Sequence, residues 1–402
     1  MRPWWQPRGV LRRYVVDLLA DELARHRRST APLPAEWRDD WALDKDLGAD
    51  SLELMTLATA LAEALHLHES GIEDYLLARR TLDDWVAIAE AGLTRFSDRV
   101  TFRTSGSTGV PKPCVHALAA LRQETQHLAT LFPGRKRVLC AVPSHHIYGF
   151  LFSVLLPRDL GLYADGVVDI RASTPASLAR IAQPGDLVVA HPDWWQLAGR
   201  TVATLPPDVV GVTSTAPCPD GVSQLVEATG IVRLVHVYGS SETAGIGARS
   251  TWNEPYTLFP YWRLEGDATL VRQLPEGGEQ RTTLQDRLEP CGERQFRVGP
   301  RHDAAVQVGG INVFPARVRE VLCRHPAVAD AAVRLMRPDE GTRLKAFIVP
   351  KPRSDAGTNL LTDLTTWIDR ELTAPERPKA LRIGPSIPLS ASSKLADWPL
   401  QD

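Results

Sequence analysis

Residues 104–112 read Thr-Ser-Gly-Ser-Thr-Gly-Val-Pro-Lys, and this stretch decides the fold of the chain. It follows a β-like run at 99–103 and precedes an amphipathic helical pattern with leucines on one face over 118–131. Gly106 and Gly109 can adopt positive φ, which lets backbone N–H groups approach a ligand closely. Such N–H groups bind phosphate oxygens, and the final lysine adds a compact positive charge. The spacing is not that of a Walker-type P-loop. The stretch is therefore either a phosphate-binding loop or a Ser/Gly/Pro surface linker.

The composition narrows the class of protein. At 402 residues and a net charge of −2, the chain is long enough for two or three domains and carries no overall basic field for nucleic acid or an anionic membrane. Its five cysteines are scattered, which indicates free thiols in a reducing compartment. The N-terminus lacks a signal-peptide pattern, and no apolar run reaches the roughly 18–20 residues that span a bilayer. We expect a soluble cytoplasmic protein with no membrane span and no nucleic-acid partner.

The first 94 residues predict a small helical bundle that forms a separate domain. Apolar side chains recur at helical spacing over 10–19 and 54–65, and a third such pattern covers 82–91. Either Asp50 or Ser51 can cap the second of these helices.

The second predicted helix begins with a motif, Leu47-Gly-Ala-Asp-Ser51-Leu52, that resembles acyl and peptidyl carrier proteins. The resemblance implies that Ser51 carries a 4'-phosphopantetheine arm, which a phosphopantetheinyl transferase would attach. The alternative is that Ser51 is only an N-cap, a role worth about 1 kcal/mol. The helix after the serine favours that alternative, because only Glu53 and Glu63 are charged there, whereas carrier helices are usually acidic.

Strand-like runs follow the phosphate-loop candidate. Residues 137–141, 186–190 and 209–213 each read as a buried strand, and helical stretches alternate with them. This alternation predicts a largely parallel sheet with crossover helices. A further β-branched run at 235–243 ends in Tyr-Gly-Ser-Ser-Glu-Thr, which places polar side chains at the carboxyl end of a strand, where open α/β sheets bind ligands. A carboxylate and hydroxyls there suit Mg²⁺, which prefers hard oxygen ligands.

Residues 104–112 match the phosphate loop of the acyl-adenylate-forming (AMP-binding) superfamily over its full length. This superfamily includes acyl- and aryl-CoA ligases, nonribosomal adenylation domains and luciferases. Further segments resemble the family's motifs and follow in the family's order, at 142–149, 235–243, 284–289, 301–320 and 388–394.

The fold class implied is α/β in three parts. The predicted parts are a carrier-like helical bundle over 1–94, a shortened adenylate-forming core with a mainly parallel sheet over 98–302, and a C-terminal α+β lid over 303–402. Family members have a long subdomain before the phosphate loop, and here only the helical bundle precedes it. There are three explanations for this difference. A minimal core is sufficient for activity, or another chain supplies the missing subdomain, or the enzyme has lost its activity.

The resemblance implies an ATP site with one metal ligand. Glu242 would hold Mg²⁺, and Asp286 would accept hydrogen bonds from the ribose hydroxyls. The residues implied in ATP binding are Thr104, Ser105, Gly106, Ser107, Thr108, Gly109, Lys112, Tyr238, Gly239, Ser240, Ser241, Asp286 and Arg301.

The resemblance also implies catalytic residues. Lys394 would neutralise the carboxylate and the α-phosphate in the transition state, with Lys112 assisting at the phosphates. His146 would lie beside the acyl pocket. Only seven of the 46 basic residues are lysine, so a lysine at a motif position stands out. The alternatives are a histidine satisfied by the core and an exposed lysine on a frayed terminus.

The family's moving parts have counterparts near the start of the predicted lid. Asp303 corresponds to the hinge, and Gly309 and Gly310 edge the tunnel through which a thiol reaches the site. The surrounding segment is closest to benzoate- and hydroxybenzoate-type CoA ligases.

These resemblances imply a two-step ligase. A small carboxylic acid and ATP would give an acyl-adenylate and pyrophosphate, after which a phosphopantetheine thiol takes the acyl group. An aryl acid such as a hydroxybenzoate or hydroxycinnamate is the expected substrate. The arm on Ser51, or a separate carrier protein, is the expected acceptor. The alternatives are a ligase that uses free CoA, with a structural N-terminal bundle, and a non-catalytic scaffold.

Overall fold

The computed structural model describes the chain apart from residues 1–2, 28–33, 35, 105–111, 163, 338, 352–359, 390–394 and 401–402. The chain divides into two compact units. The first combines Met1–Thr104 with Lys112–Gly299, and the main segment of the second is Pro300–Asp402.

Of the α-helices in the described residues, the first ten belong to the first unit and the last two to the second. Within the described residues, the α-helices are α1 (Arg8–Arg27), α2 (Ser51–Leu65), α3 (Tyr75–Ala78), α4 (Leu82–Arg95), α5 (Leu118–Leu131), α6 (Ile147–Phe150), α7 (Leu156–Asp159), α8 (Leu178–Ile181), α9 (Pro192–Thr201), α10 (Asp220–Glu227), α11 (Pro315–Cys323) and α12 (Leu360–Glu371). A π-helical turn, Leu151–Leu155, joins α6 to α7.

The strands form one large sheet and several small ones. In the same residues, they are β1 (Arg99–Thr104), β2 (Lys112–Ala117), β3 (Arg137–Cys140), β4 (Val167–Asp169), β5 (Asp186–Ala190), β6 (Val210–Thr213), β7 (Arg233–Ser240), β8 (Ala244–Arg249), β9 (Tyr256–Leu258), β10 (Trp262–Glu265), β11 (Thr269–Gln273), β12 (Glu279–Thr283), β13 (Asp286–Pro290), β14 (Gln295–Arg301), β15 (Val306–Val308), β16 (Ile311–Val313), β17 (Val328–Leu335), β18 (Leu344–Pro350) and β19 (Ala380–Ile383).

The large sheet is mixed rather than mainly parallel. Its nine strands run in the order β13-β14-β9-β8-β7-β6-β5-β3-β4. The pairs from β4 through β3, β5 and β6 to β7 are parallel, as the alternation with helices predicts. From β7 to β8 and from β8 to β9 the pairing is antiparallel, and β9 pairs with β14 in the same way. The prediction of a mainly parallel sheet is corrected here, because short turns rather than crossover helices connect β7, β8 and β9.

The N-terminal helices share one hydrophobic core with the sheet. Trp4 is 1% exposed and packs edge-on against Tyr14 of α1 and Phe150 of α6, with ring centroids 5.7 and 5.1 Å away. The same apolar cluster continues through Leu57 and Trp85 of the helices into the sheet. A separate helical domain over 1–94 is predicted from the sequence. The compact unit instead contains both the helices and the sheet, because their apolar faces are buried against the same side chains.

Polar contacts also join the N-terminal helices to the core. Asp17 of α1 is buried, and its carboxylate accepts hydrogen bonds from Ser144 N at 2.7 Å and Ser144 Oγ at 2.6 Å. Arg103 of β1 donates from Nε to Glu63 of α2 at 2.8 Å and from Nη1 to Glu22 of α1 at 3.0 Å. The strand that leads into residues 105–111 is therefore held by two N-terminal helices.

The second unit has the α+β composition that the sequence predicts. β17 pairs antiparallel with β18, which pairs parallel with β19. The helices α11 and α12 bury Val318, Leu322 and Leu364 in the same apolar cluster as β17 and β18.

Among the described residues, no helix has both the length and the apolar character needed to cross a membrane.

We expect Trp4→Ala to destabilise the sheet as well as the helices. Removing a buried tryptophan costs about 3–5 kcal/mol of unfolding free energy, through lost burial and the cavity left behind. Urea unfolding followed by circular dichroism measures the loss, and hydrogen exchange locates it. Exchange should quicken in β5 and β6 as well as in α1.

Leu197→Ala serves as the matched control, because Leu197 is 52% exposed. Its unfolding free energy should change by less than about 0.5 kcal/mol. Faster exchange in Trp4→Ala that stops at the N-terminal helices would show that these helices are a separate unit.

Candidate active site

A β-hairpin frames the predicted phosphate loop. β1 and β2 pair antiparallel, with Thr104 opposite Lys112 at the two ends of the loop. The predicted ATP-binding residues Ser105, Gly106, Ser107, Thr108 and Gly109 lie outside the described residues. The sequence predicts no strand between this loop and the helix over 118–131, but β2 occupies that interval. The reason is strand pairing: the buried side chains of Val100 and Phe102 on β1 need a partner strand.

A second hairpin carries the predicted metal ligand. β7 ends at Ser240, residues 241–243 turn, and β8 returns. Ser240 Oγ accepts hydrogen bonds from Glu242 N at 3.2 Å and Thr243 N at 3.3 Å. A Cβ at Gly239 would lie 2.1 Å from the carbonyl oxygen of Ala244, so glycine is required there. The Glu242 side chain is left exposed at the turn.

Two buried contacts tie the second hairpin to the first hairpin and to α5. His116 of β2 lies with Nε2 2.6 Å from the carbonyl oxygen of Ser241, so this nitrogen carries the proton and donates. Burial lowers the pKa of His116, although its bond to Ser241 acts in the opposite direction. Glu124 of α5 accepts a hydrogen bond from Gly245 N at 2.9 Å. The turn that bears Glu242 is thus fixed relative to the end of the predicted phosphate loop.

The charges of Lys112 and Glu242 act on the same thiol. Burial raises the pKa of Cys114 to about 11, with the Glu242 carboxylate adding to the rise and the Lys112 ammonium opposing it. The predicted phosphate-binding lysine and the predicted metal ligand therefore lie in one neighbourhood, on adjoining hairpins. Sequence reasoning places them there only through the family resemblance.

Tyr238 and Asp286, which are both predicted to bind ATP, are in direct contact. The Tyr238 hydroxyl donates to Asp286 Oδ2 at 2.7 Å. The Tyr238 ring also lies 5.7 Å from Tyr256 and 5.6 Å from Phe296, centroid to centroid. The aromatic packing fixes the tyrosine, and the tyrosine orients the carboxylate predicted to bind ribose. Their roles in binding ATP remain predictions.

His146 lies at the start of α6, where its side chain is exposed. His145, which the sequence analysis does not single out, is the buried member of the pair, and the two ring centroids are 4.2 Å apart.

In the second unit, the predicted hinge residue is held by its neighbour. Arg301 donates from Nε and Nη2 to the two oxygens of Asp303, at 2.8 and 2.6 Å. This guanidinium lowers the pKa of Asp303. Ala304 has φ of 54°, a left-handed conformation that costs a non-glycine residue free energy. Arg301, predicted to bind ATP, thus also fixes Asp303.

The predicted tunnel glycines form a tight turn. Gly309 and Gly310 connect β15 to β16 with φ of 57° and 79°, which a two-residue hairpin turn requires at both positions. Lys394 lies outside the described residues. The residues on either side of segment 390–394 are described. Leu389 forms a β-bridge with Leu395, and Ala396 N donates to the carbonyl oxygen of Pro388 at 2.9 Å.

A buried lysine that no sequence motif marks binds residues 397 and 398. Lys345 is fully buried, and its Nζ lies 2.7 Å from Glu340, 2.9 Å from Asp397 and 2.8 Å from the carbonyl oxygen of Trp398. One signal pointed to it: it is one of only seven lysines. Three oxygen partners satisfy the ammonium, which would otherwise be costly to bury.

Glu124 is a second buried charged residue that no sequence motif marks, and its carboxyl lies on the apolar face of α5. Burial raises the pKa of Glu124 to about 7, and the nearby Arg272 guanidinium opposes the rise. Within the described structure, its second oxygen, Oε2, has no hydrogen-bond partner. A glutamate among Leu121, Thr125 and Leu128 was the available signal.

The chain belongs to the AMP-binding enzyme family, whose members form acyl-adenylates and include acyl- and aryl-CoA ligases. The family's model matches residues 100–266, and the model of the AMP-binding enzyme C-terminal domain matches residues 318–394. The first match covers both hairpins and the strands from β3 to β10, and the second covers most of the second unit.

Two relatives extend the match over nearly the whole chain. A protein named 4-coumarate–CoA ligase from Cereibacter sphaeroides is 41% identical over 90% of this chain and 86% of its own length. One of the same name from Rhodobacter capsulatus is 37% identical over 97% of this chain and 100% of its own length. The amide bond synthetase McbA from Marinactinospora thermotolerans shares the fold, with a TM-score of 0.62 and 17% identity over 96% of this chain and 93% of that one.

We expect a pH-dependent stability that Glu124→Gln removes. The pKa of Glu124 is higher in the folded state, so the folded chain holds this proton more tightly than the unfolded chain does. The contribution of this proton to the free energy of unfolding is therefore complete below the unfolded pKa of 4.5. It is lost as the pH rises to about 7. The loss is on the order of 3 kcal/mol. Urea unfolding of both proteins between these pH values measures it.

Glu227→Gln, at an exposed glutamate, is the control for removing a carboxylate. It should stay within about 0.5 kcal/mol of the wild type at each pH. A constant difference between wild type and Glu124→Gln would show that Glu124 is ionised throughout and contradict the assignment.

Proposed function

We propose that this chain is an ATP-dependent ligase that joins a small aryl acid to the thiol of CoA. The observation that carries the proposal is the near end-to-end similarity to two proteins named 4-coumarate–CoA ligase, at 41 and 37% identity. A hydroxycinnamate such as 4-coumarate is accordingly the expected acid.

In the first step, the acid's carboxylate attacks the α-phosphorus of ATP and pyrophosphate leaves. Lys112 and the loop 105–109 hold phosphate oxygens, and Lys394 neutralises the charge that develops between carboxylate and phosphate. Asp286, oriented by Tyr238, accepts hydrogen bonds from the ribose. The exposed carboxylate of Glu242 and the hydroxyl of Ser241 are the hard oxygen donors that suit Mg²⁺. When bound, the metal would supply charge neutralisation at the phosphates.

In the second step, the thiol attacks the acyl carbon of the adenylate and AMP leaves. Gly309 and Gly310 provide a backbone that a thiol-bearing arm can pass closely, since neither has a side chain. Asp303 is the proposed hinge for the change between the steps, and Ala304 beside it already has a left-handed backbone.

Free CoA is favoured over a carrier arm as the acceptor. A carrier domain must travel with its arm, but α2 is bound to the core through Glu63 and Arg103 and through His66 and Thr101. Asp50, not Ser51, caps α2 and forms a capping box with Glu53. The resemblance to carrier proteins is therefore explained by a capped helix start.

A carrier role is the second candidate because Ser51 is exposed at the first position of α2. Leu52 and Met55 beside it are 58 and 49% exposed, which leaves an apolar surface around the hydroxyl. The two candidates differ in the covalent state of the protein, so intact mass distinguishes them.

We expect Lys394→Ala to slow acid-dependent pyrophosphate release about 100- to 1000-fold, as is typical of losing one group that stabilises a transition-state charge. Pyrophosphate release with a panel of aryl and aliphatic acids measures it. Lys379→Ala is the matched control, since Lys379 is an exposed lysine of the same unit.

An unchanged rate in Lys394→Ala would contradict the catalytic assignment. Faster turnover of aliphatic acids would contradict the proposed substrate class. No release with any acid would favour the scaffold.

We expect Ser51→Ala to leave formation of aryl-CoA unchanged, because the acceptor is free CoA. Wild-type protein co-expressed with a phosphopantetheinyl transferase should keep its unmodified mass. A mass increase of one phosphopantetheine arm in the wild type but not in Ser51→Ala would establish the carrier candidate instead.

A further inference from the structure

Two histidines and an aspartate meet where α1 passes the loop after β3. Asp21 lies on α1, and His145 and His146 lie just before α6. Their ligand atoms, one carboxylate oxygen and one ring nitrogen from each histidine, all lie within 4.8 Å of one another. Asp21 and His145 are more than a hundred residues apart in the sequence, so only the fold brings them together.

His145 is buried without a hydrogen bond. Its side chain is 6% exposed, and neither ring nitrogen has a hydrogen-bond partner within the described part of the chain. Its nearest polar approach is 3.5 Å, from Nε2 to Asp21 Oδ2, which is too long for a well-formed hydrogen bond. A buried polar group normally has a partner, so a missing partner at this position needs an explanation.

The histidine faces a cavity the size of one ion or one water. Its volume is about 20 Å³, and its lining includes Asp21, Glu22, Arg25, Arg103, His145 and His146. A cavity needs about 10–15 Å³ of this kind to hold a single water molecule. The space therefore suits one small occupant and excludes an aryl acid.

The charges around the cavity leave a net negative balance. Three carboxylates, from Asp21, Glu22 and Glu63, face two guanidiniums, from Arg25 and Arg103. Asp21 supplies the carboxylate that lies against His145, with Oδ2 3.5 Å from Nε2. Arg25 binds this carboxylate one turn along α1, and a cation would compete with it for one oxygen.

We propose that Asp21, His145 and His146 form a binding site for one divalent transition-metal ion, with Zn²⁺ the best fit. Two imidazoles and one carboxylate are a known zinc ligand set, which leaves the fourth position of the tetrahedron open to water. Ligand atoms in such a tetrahedron are roughly 3.3 Å apart, so side-chain rotations that close the present separations assemble the site. Imidazole ligands select zinc over Mg²⁺, so this site differs from the one proposed at Glu242.

The position of His145 is fixed independently of any metal. Asp17 lies one turn before Asp21 on the same face of α1 and binds both the backbone and the side chain of Ser144. The residue preceding His145 is thereby locked against α1. This pre-organisation reduces the cost of assembling the ligands. The proposal does not rest on the ligase reaction.

The test uses the full-length chain without a histidine tag, stripped of metal by dipicolinate and kept in excess Mg²⁺. Titration with Co²⁺ reports imidazole coordination through visible d–d absorption, and competition with a chromophoric chelator gives the Zn²⁺ affinity. We expect one Zn²⁺ per chain. Asp21→Asn and His145→Gln should each weaken binding at least about tenfold, since each removes a direct ligand.

His68→Gln is the matched control. His66, His68 and Glu69 form another histidine–carboxylate group with equally close ligand atoms, but His68 and Glu69 are exposed. This variant should bind Zn²⁺ as the wild type does. If His145→Gln fails to fold, Asp21→Asn alone decides, because it keeps the side-chain shape.

Less than one bound Zn²⁺ per wild-type chain would overturn the proposal and identify the cavity as a water site. Full affinity in Asp21→Asn, or loss of binding in His68→Gln, would also overturn it.

Discussion

The buried carboxylate of Asp17 fixes α1 against the loop after β3, and the arrangement of Asp21 and His145 depends on this contact. It accepts two hydrogen bonds from Ser144 and pairs with Arg171 at 2.7 Å. A buried charge that loses one partner typically costs about 3–5 kcal/mol, so α1 can pass the loop after β3 in only one register. That register sets Asp21 against His145 one turn later. The N-terminal helix α1 is thereby fixed to the loop after β3.

The proposed ATP-binding residues rest on cross-links between neighbouring hairpins. The turn carrying Glu242 is held from β2 by His116 and from α5 by Glu124, and both contacts are buried. The turn that carries the Glu242 carboxylate is therefore held in place by the protein alone. Such pre-organisation is what makes fixed charges effective at a reacting phosphate. Glu124 adds a cost, because it is held in a place where its ionised form is disfavoured.

Local motifs could be predicted from the sequence, whereas partners distant in the chain could not. The buried strand 186–190 follows from apolar patterning alone. The strand β2 was missed because its residues are mostly exposed and its pattern is short. The antiparallel half of the sheet was missed because strand periodicity does not state a direction. His145 and Asp21 were missed because no spacing rule connects residues that far apart.

The start of α2 shows why a motif can be correct as a pattern and incomplete as a function. Asp50-Ser51-Leu52 is a helix start in either interpretation, since Asp50 and Glu53 form a capping box whatever Ser51 does. The deciding information lies on the other face of the helix. There Leu57 and Leu61 enter the same apolar cluster as the strands of the sheet, and Glu63 binds Arg103. A helix held at both its apolar and its polar face cannot carry a bound acyl group elsewhere. This attachment of α2 to the core supports the proposed use of free CoA as the acceptor.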